Sequence, residues 1–293
     1  MRMLIIGCNG QLGSDFMVGA FAAGHDAHGM DYPQIDITDP GSVQRAIENA
    51  RPEMIVNCAG YTAVDACETD EQRAFAVNAA GVGHIAEAAQ LCGASVAHIS
   101  TDYVFDGAKP GPYVESDPPN PQSAYGRTKL AGEEALMRNC QRHFIFRIAW
   151  LFGAHGANFV KTIRRAAAEK AGRGESLKVV SDQRGTPTWT VEVCRQILRV
   201  IGARQHGLFH CTAEGECTWY DFARHIVEAA GIPASVVPCT TREFPRPAPR
   251  PANSVLENAR LKALGLDSMK EWRSAFGEFL ETERNASSQG IIS

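Results

Sequence analysis

Tyr125 and Lys129 stand four residues apart in Ser123-Ala124-Tyr125-Gly126-Arg127-Thr128-Lys129, a segment that reads as the start of a helix, so their side chains share one face. A free phenol titrates near ~10 and gives up its proton poorly at neutral pH. A neighbouring ammonium that stabilises the phenolate brings it toward the working range, so the pair can serve as a general acid and its tuner. Alone, Tyr-x-x-x-Lys reads first as an exposed i, i+4 surface pair. Catalysis needs two more features: a nucleotide-binding turn near the N-terminus, and a hydroxyl at a strand end between that turn and the pair. Both are present. Gly7-Cys8-Asn9-Gly10-Gln11-Leu12-Gly13 follows the apolar run 3–6, and Ser100-Thr101-Asp102 closes the run 95–99.

These groups can meet only if several strands end on the same side of a parallel sheet. The first unit is strand, glycine turn and helix. In its Gly-x-x-Gly-x-x-Gly pattern, Gly7 permits the tight turn, Gly10 lets a pyrophosphate approach the backbone, and Gly13 lets the helix pack on the strand. Helix-end N–H groups then face the phosphates. A tight strand-to-helix turn uses glycine for purely structural reasons as well. A second strand, 26–30, ends at Asp31, which is either a ribose acceptor favouring an unphosphorylated 2′-hydroxyl or a turn aspartate before Pro33. Asp36 and Ile37 are placed to flank adenine, and Asp39-Pro40 reads as a helix cap followed by proline at the first helical position.

The third strand, 54–57, runs into the small-residue turn Cys58-Ala59-Gly60, and the loop 61–68 lies at its carboxyl end. Asp65 and Glu68 are either metal ligands or charges favourable to a helix N-terminus. The region 74–91 reads as helix, with Asn78 inside it either capping an irregularity or anchoring water. A fifth strand, 144–148, leads into Ala149-Trp150-Leu151-Phe152-Gly153. The expected fold is α/β: a Rossmann-type doubly wound parallel sheet over 1–150, to which parts of 185–225 return, and a smaller C-terminal α/β substrate lobe over 151–293. In that lobe helices are expected at 158–170, 191–201, 219–230, 259–264 and 269–283, with strands at 177–180 and 208–210. Residues 242–251 carry four prolines and three arginines, an extended segment suited to lining a pocket. There Arg246 and Arg250 are either a phosphate clamp or solvated loop charge. Residues 285–293 are expected to fray.

Composition narrows the partner. With 293 residues, 44% of them hydrophobic, the chain can bury a large core. A net charge of −4 without any lysine or arginine run argues against nucleic acid and anionic membrane, leaving a small molecule. Nine cysteines without a Cys-x-x-Cys pair, several in apolar segments such as Cys58 and Cys194, read as reduced core residues. No apolar segment approaches the ~20 residues that span a bilayer, and Met1-Arg2 leads straight into a strand. A cytoplasmic location is expected.

The quoted motifs resemble the extended short-chain dehydrogenase/reductases that act on nucleotide sugars, and among them the dTDP-4-dehydrorhamnose reductases. The segments that carry the likeness are the glycine turn, 57–65, 100–107, 125–133, 147–153, 182–188 and 250–256, so it covers nearly the whole chain. It differs from the family at Cys58, Gly60 and Ala149. The resemblance implies hydride delivery from NADPH or NADH to C4 of a dTDP-4-dehydro sugar, with Tyr125 as proton donor, Thr101 holding the carbonyl oxygen, and Lys129 on the ribose hydroxyls. It further implies that Gly10, Gln11 and Leu12 meet the pyrophosphate, Asp31, Asp36 and Ile37 the adenosine end, and Gly60, Tyr61 and Thr62 the nicotinamide half. Val64, Asp102, Trp150 and Arg250 would border substrate. The family is also linked to a homodimer with Mg2+ at its contact, which nothing in the spacing here shows. Two rivals share the scaffold. An epimerase or 4,6-dehydratase uses the same tyrosine, but similar dehydratases carry a glutamate where this chain has Tyr103. The non-catalytic regulatory subunit of methionine adenosyltransferase resembles the same family.

Overall fold

The structure is a computed structural model and describes residues 1–288. Strands buried on both faces are near-continuous apolar runs, and the sheet follows from that pattern. Met3, Leu4, Ile5 and Ile6 are all buried in the first strand, Arg2–Ile6, as are all four residues of the third, Met54–Asn57. Six strands pair in parallel in the order Gly207–His210, His143–Ile148, Ser95–Thr101, Met54–Asn57, Arg2–Ile6, Asp26–Met30. Strand order reverses between the first and third strands, so a crevice opens there at their carboxyl ends.

Helices cover both faces. On one, Gln11–Ala22 and Thr190–Gly202 pack Phe16, Val193 and Ile197 against Met3, Ile5 and Phe209. On the other, Pro40–Ala50, Gly81–Cys92 and Ala124–Asn139 pack Ile47, Ile85 and Leu136 against Leu4, Ile55 and Ile145. Asp39 caps its helix by accepting from Gly41 N at 2.9 Å, with Pro40 following. Ser123 caps the helix of the Tyr-Lys pair, its Oγ accepting from Gly126 N at 3.1 Å, and Glu68 Oε1 accepts from Ala124 N at 2.8 Å. Glu68 thus satisfies an orphan donor of that helix end.

A second core lies beyond the sheet, built on Phe152, Trp189, Phe222, Trp272, Phe276 and Phe279. Around it run helices Phe159–Gly172 and Trp219–Ala229 and the parallel pair Leu177–Val180 with Val236–Cys239. The chain crosses between the two cores more than once: Thr190–Gly202 and Gly207–His210 belong to the sheet layer although they follow 150.

Two expected elements differ. The region 74–91 is not one helix: Glu71–Phe75 passes through a π-helical turn, Ala76–Ala80, before Gly81–Cys92. Such turns concentrate at functional sites. The last helix runs Trp272–Ser288, so 285–288 are helical where fraying was expected to begin; 289–293 lie outside the described residues.

Candidate active site

The glycine turn is dictated by sterics. Gly7 has φ +79°, and a Cβ there would lie 2.7 Å from Ala59 N; a Cβ on Gly13 would lie 2.1 Å from Gly7 O. Only glycine lets the turn, the helix and the third strand come this close. The helix that follows starts at Gln11 with Gly10 before it and no side-chain cap, so its first-turn N–H groups face the crevice. Gln11 donates through Nε2 to Leu151 O at 3.3 Å, while its buried Oε1 has no partner. A phosphate-bearing group fits this cradle.

From there a cleft of ≈ 640 Å³ runs along Gly7, Gly10, Asp31, Asp36, Ile37, Gly60, Tyr61 and Arg73. Asp31 Oδ2 accepts from Asn9 N at 3.0 Å and Oδ1 from Tyr32 N at 2.8 Å, so the carboxylate both braces the turn and faces the cleft. Asp36 accepts from Thr38 N and Oγ1 at 2.9 and 2.7 Å, and these bonds hold its carboxyl below the usual range. A second cavity of ≈ 470 Å³ shares Gly10 and Gly60 with the first. It is lined by Gln11, Leu12, Thr62, Val64, Thr101, Asp102, Tyr125, Lys129 and Trp150. Together they form one crevice, with the dinucleotide-type cradle at one end and the Tyr-Lys pair at the other.

Thr101 ends the fourth strand, and its Oγ1 donates to Asp102 Oδ1 at 3.0 Å and accepts from Tyr103 N at 3.2 Å. Asp102 is buried, and burial lifts its carboxyl to about 6. The Ser254 and Thr101 hydroxyls pull it partly back, and Oδ2 is left without a hydrogen-bond partner. Tyr103 packs edge-on against Tyr125 at 5.5 Å between centroids.

The tuning of Tyr125 differs from the expectation. Burial raises its phenol above the ordinary value, Thr101 opposes this, and Asp102 and Cys67 add to it. Lys129 is not among the groups that lower it. Its Nζ instead donates to Ile99 O at 2.6 Å and lies 3.2 Å from His98 Nε2. Burial brings Lys129 down to about 8, against the raising influence of Glu133 and Cys58.

Beneath the pair lies a polar layer of which sequence reasoning singled out only Asn78. Arg147 Nη2 and Nε contact Glu133 at 2.7 and 2.9 Å, both side chains almost fully buried, and Ser100 Oγ donates to the same carboxylate. His98 Nδ1 lies 3.1 Å from Asn57 Nδ2. Asn78, in the π turn, accepts from Tyr61 N at 2.8 Å and donates to Tyr61 O and Thr128 Oγ1 at 3.1 and 3.2 Å. It clamps the Tyr61 loop to the catalytic helix, so the irregular turn has a structural use. For the strand members the hint in the sequence was polar residues, Asn57 and His98, in otherwise apolar runs.

On the lobe side, Trp150 adopts φ +47° and its ring stacks on Trp219 at 3.4 Å. A left-handed tryptophan is strained backbone, kept where packing over-determines it. Trp219 was expected only as a helix start. Arg250 is tied down beside Tyr103, which lines the cavity: its Nη2 pairs with Asp65 at 2.9 Å and Nη1 donates to Ala248 O at 2.8 Å. Arg246 lies 3.9 Å from the same Asp65. The two arginines therefore converge on a carboxylate, which holds the 242–251 segment to the sheet domain. Among the described residues no group of three or more His, Cys, Asp or Glu could hold a metal, and no helix is long and apolar enough to cross a membrane. All nine cysteines are free.

A doubly wound sheet with a glycine cradle at its switch point, a strand-end threonine and a Tyr-x-x-x-Lys helix defines a short-chain dehydrogenase/reductase. Within that class, the chain belongs to the family described as RmlD substrate binding domain, which it matches over residues 1–285. It is 41% identical over 95% of its length to a probable dTDP-4,6-dihydroxy-2-methyloxan-3-one 4-ketoreductase of Streptomyces antibioticus, covering 94% of that protein. A dTDP-4-dehydrorhamnose reductase of Clostridium acetobutylicum superposes with a TM-score of 0.94 at 43% identity, over 97% of this chain and 100% of that one. One of Bacillus anthracis, solved with NADP, superposes at 0.92 and 36% identity, over 96% and 99%.

Proposed function

We propose that this protein is a dTDP-4-dehydrorhamnose reductase, converting dTDP-4-dehydro-β-L-rhamnose to dTDP-β-L-rhamnose with NADPH or NADH, the last step in making that nucleotide sugar. The observation that carries the reading is the single crevice joining the glycine cradle to Thr101, Tyr125 and Lys129. The bound nicotinamide would supply hydride to C4. Thr101 Oγ1 and the Tyr125 hydroxyl would hold the C4 oxygen, and Tyr125 would donate the proton as the alkoxide forms. Lys129 would bind ribose hydroxyls from its buried position. Its Nζ is held beside Ile99 O rather than directed at the phenol, so tuning of the acid passes through whatever bridges the two in the complex. Trp150, braced on Trp219, and Val64 would wall the sugar. Arg250 would shape the substrate end through Asp65. The homodimer with Mg2+ rests on family resemblance alone.

The likeness to the S. antibioticus 4-ketoreductase favours a second reading, a sibling dTDP-4-keto sugar as substrate. The experiment is incubation with dTDP-4-dehydro-L-rhamnose and each reduced cofactor, followed by identification of the sugar formed. dTDP-L-rhamnose at a rate well above that with other dTDP-4-keto sugars supports the first reading; the reverse order supports the second. Cofactor binding without oxidation by any of them would make the chain a binding subunit.

A further inference from the structure

Three polar contacts in the floor of the crevice fix where protons sit. Ala59 N donates to Asn57 Oδ1 at 3.1 Å, and that backbone donor sets the amide's orientation: Asn57 Nδ2 must face His98. Nδ2 is a donor, so His98 Nδ1, 3.1 Å away, must accept and carry no proton. A neutral His98 then bears its one proton on Nε2, the atom 3.2 Å from Lys129 Nζ. An ammonium there sets donor against donor. An amine does not: one N–H goes to Ile99 O at 2.6 Å and the lone pair accepts from His98.

We propose that His98, its tautomer imposed by Asn57, is a positioning residue that offers Lys129 a hydrogen bond only its amine form can accept, and thereby sets the pH at which the Tyr125–Lys129 pair loses its proton. The surroundings agree. His98 is fully buried, and burial above all drives it well below its ordinary value, so it stays neutral. Lys129 is brought to about 8. Of the groups that could hold it charged, Glu133 on its own helix is bound by Arg147 of the fifth strand and by Ser100 of the fourth. Cys58, after the third strand, is neutral because burial lifts its thiol to about 12. Tyr125, one turn back, is held as the neutral phenol. A hydrogen bond given only to the amine form lowers the pKa of the lysine, and its loss raises it.

The inference rests on the reductase reading only for its rate arm. Its first test needs no cofactor. In protein labelled with 15N at histidine, with the His98 signals identified by their loss in His98→Leu, Nδ1 should be bare and Nε2 protonated at pH 7. Both signals should move with a midpoint near pH 8, the pH at which Lys129 titrates, and that step should vanish in Lys129→Met. Asn57→Asp keeps the shape and the bond from Ala59 but presents an oxygen that accepts a hydrogen bond from a protonated Nδ1. The tautomer should reverse, Nε2 should accept from the ammonium, and the alkaline limb of kcat should rise by about one pH unit. A proton on Nδ1, or on both nitrogens, in the native protein would overturn the proposal even if Asn57→Asp does not fold. So would a limb that moves while the tautomer stays, which is charge acting through space, or a reversed tautomer with an unmoved limb. If the native protein turns over no dTDP-4-keto sugar, the reductase reading fails and the histidine spectra still decide the tautomer.

Discussion

The two ends of the crevice are built from different materials. The cradle end is backbone: glycines, a helix N-terminus and a carboxylate, Asp31, partly open to solvent and braced by main-chain N–H groups. The Tyr-Lys end is side chain on side chain, with Thr101, Asp102, Lys129, Glu133 and Arg147 all buried. Backbone donors hold a ligand without changing their own ionisation. Burial out of water changes the ionisation of side chains, and Asp102 and Lys129 are displaced toward neutrality for that reason, their neighbours only partly opposing it. Substitutions at the buried end should therefore disturb chemistry and stability strongly, and those at the open end should mainly change preference.

The largest effect is expected for Tyr125→Phe, which keeps the ring and removes the proposed proton donor. Single-turnover oxidation of the reduced cofactor with saturating ketosugar should fall by about 10²–10⁴-fold while cofactor binding by fluorescence stays near native. A native rate would exclude Tyr125 as the acid and leave the buried end without its distinguishing role.

Next comes Glu133→Ala, which strands Arg147 as a buried charge. Breaking such a pair costs about 3–5 kcal/mol, read as a lower urea midpoint. A loss under about 1 kcal/mol would mean that water reaches the layer and that the contrast between the two ends is weaker than burial indicates.

Asp102→Asn sharpens the comparison through pH. The folded-state value of Asp102, about 6, exceeds its ordinary 3.8, so ionising it in the fold costs stability. That cost is absent below the ordinary value, grows between the two, and is complete above about 6. The amide should thus stabilise the protein at pH 8 by about 1–3 kcal/mol, with the gain fading toward pH 4. Equal gains at both pH values in urea titrations would mean that Asp102 ionises as freely as a surface carboxylate.

The smallest change is expected at the open end. Asp31→Ala removes a carboxylate that repels a 2′-phosphate, and the ratio of kcat/KM for NADPH over NADH should rise by roughly tenfold, about 1.4 kcal/mol. An unchanged ratio would leave Asp31 as a brace for Asn9 and Tyr32 alone.

What the sequence determined by itself was whatever depends on local rules. Glycine at 7 and 13, the Asp39-Pro40 start and the Ser123 cap are short-range requirements of turns and helix ends, and the apolar strand runs specify a parallel sheet buried on both faces. The four-residue spacing of Tyr125 and Lys129 placed both on the crevice. Tertiary structure decided the rest, because ionisation and contact depend on neighbours far along the chain. Lys129 answers to His98 and Ile99 from a strand some 30 residues earlier, rather than to the tyrosine on its own helix. Arg250 is held by Asp65, 185 positions away in the sequence, and Trp150 finds its brace in Trp219. The π turn at Ala76–Ala80 exists to aim Asn78 at Tyr61 and Thr128, a constraint visible only once both are in place. Helical spacing shows which side chains share a face, but burial and the partners brought to that face fix which of them carries the proton.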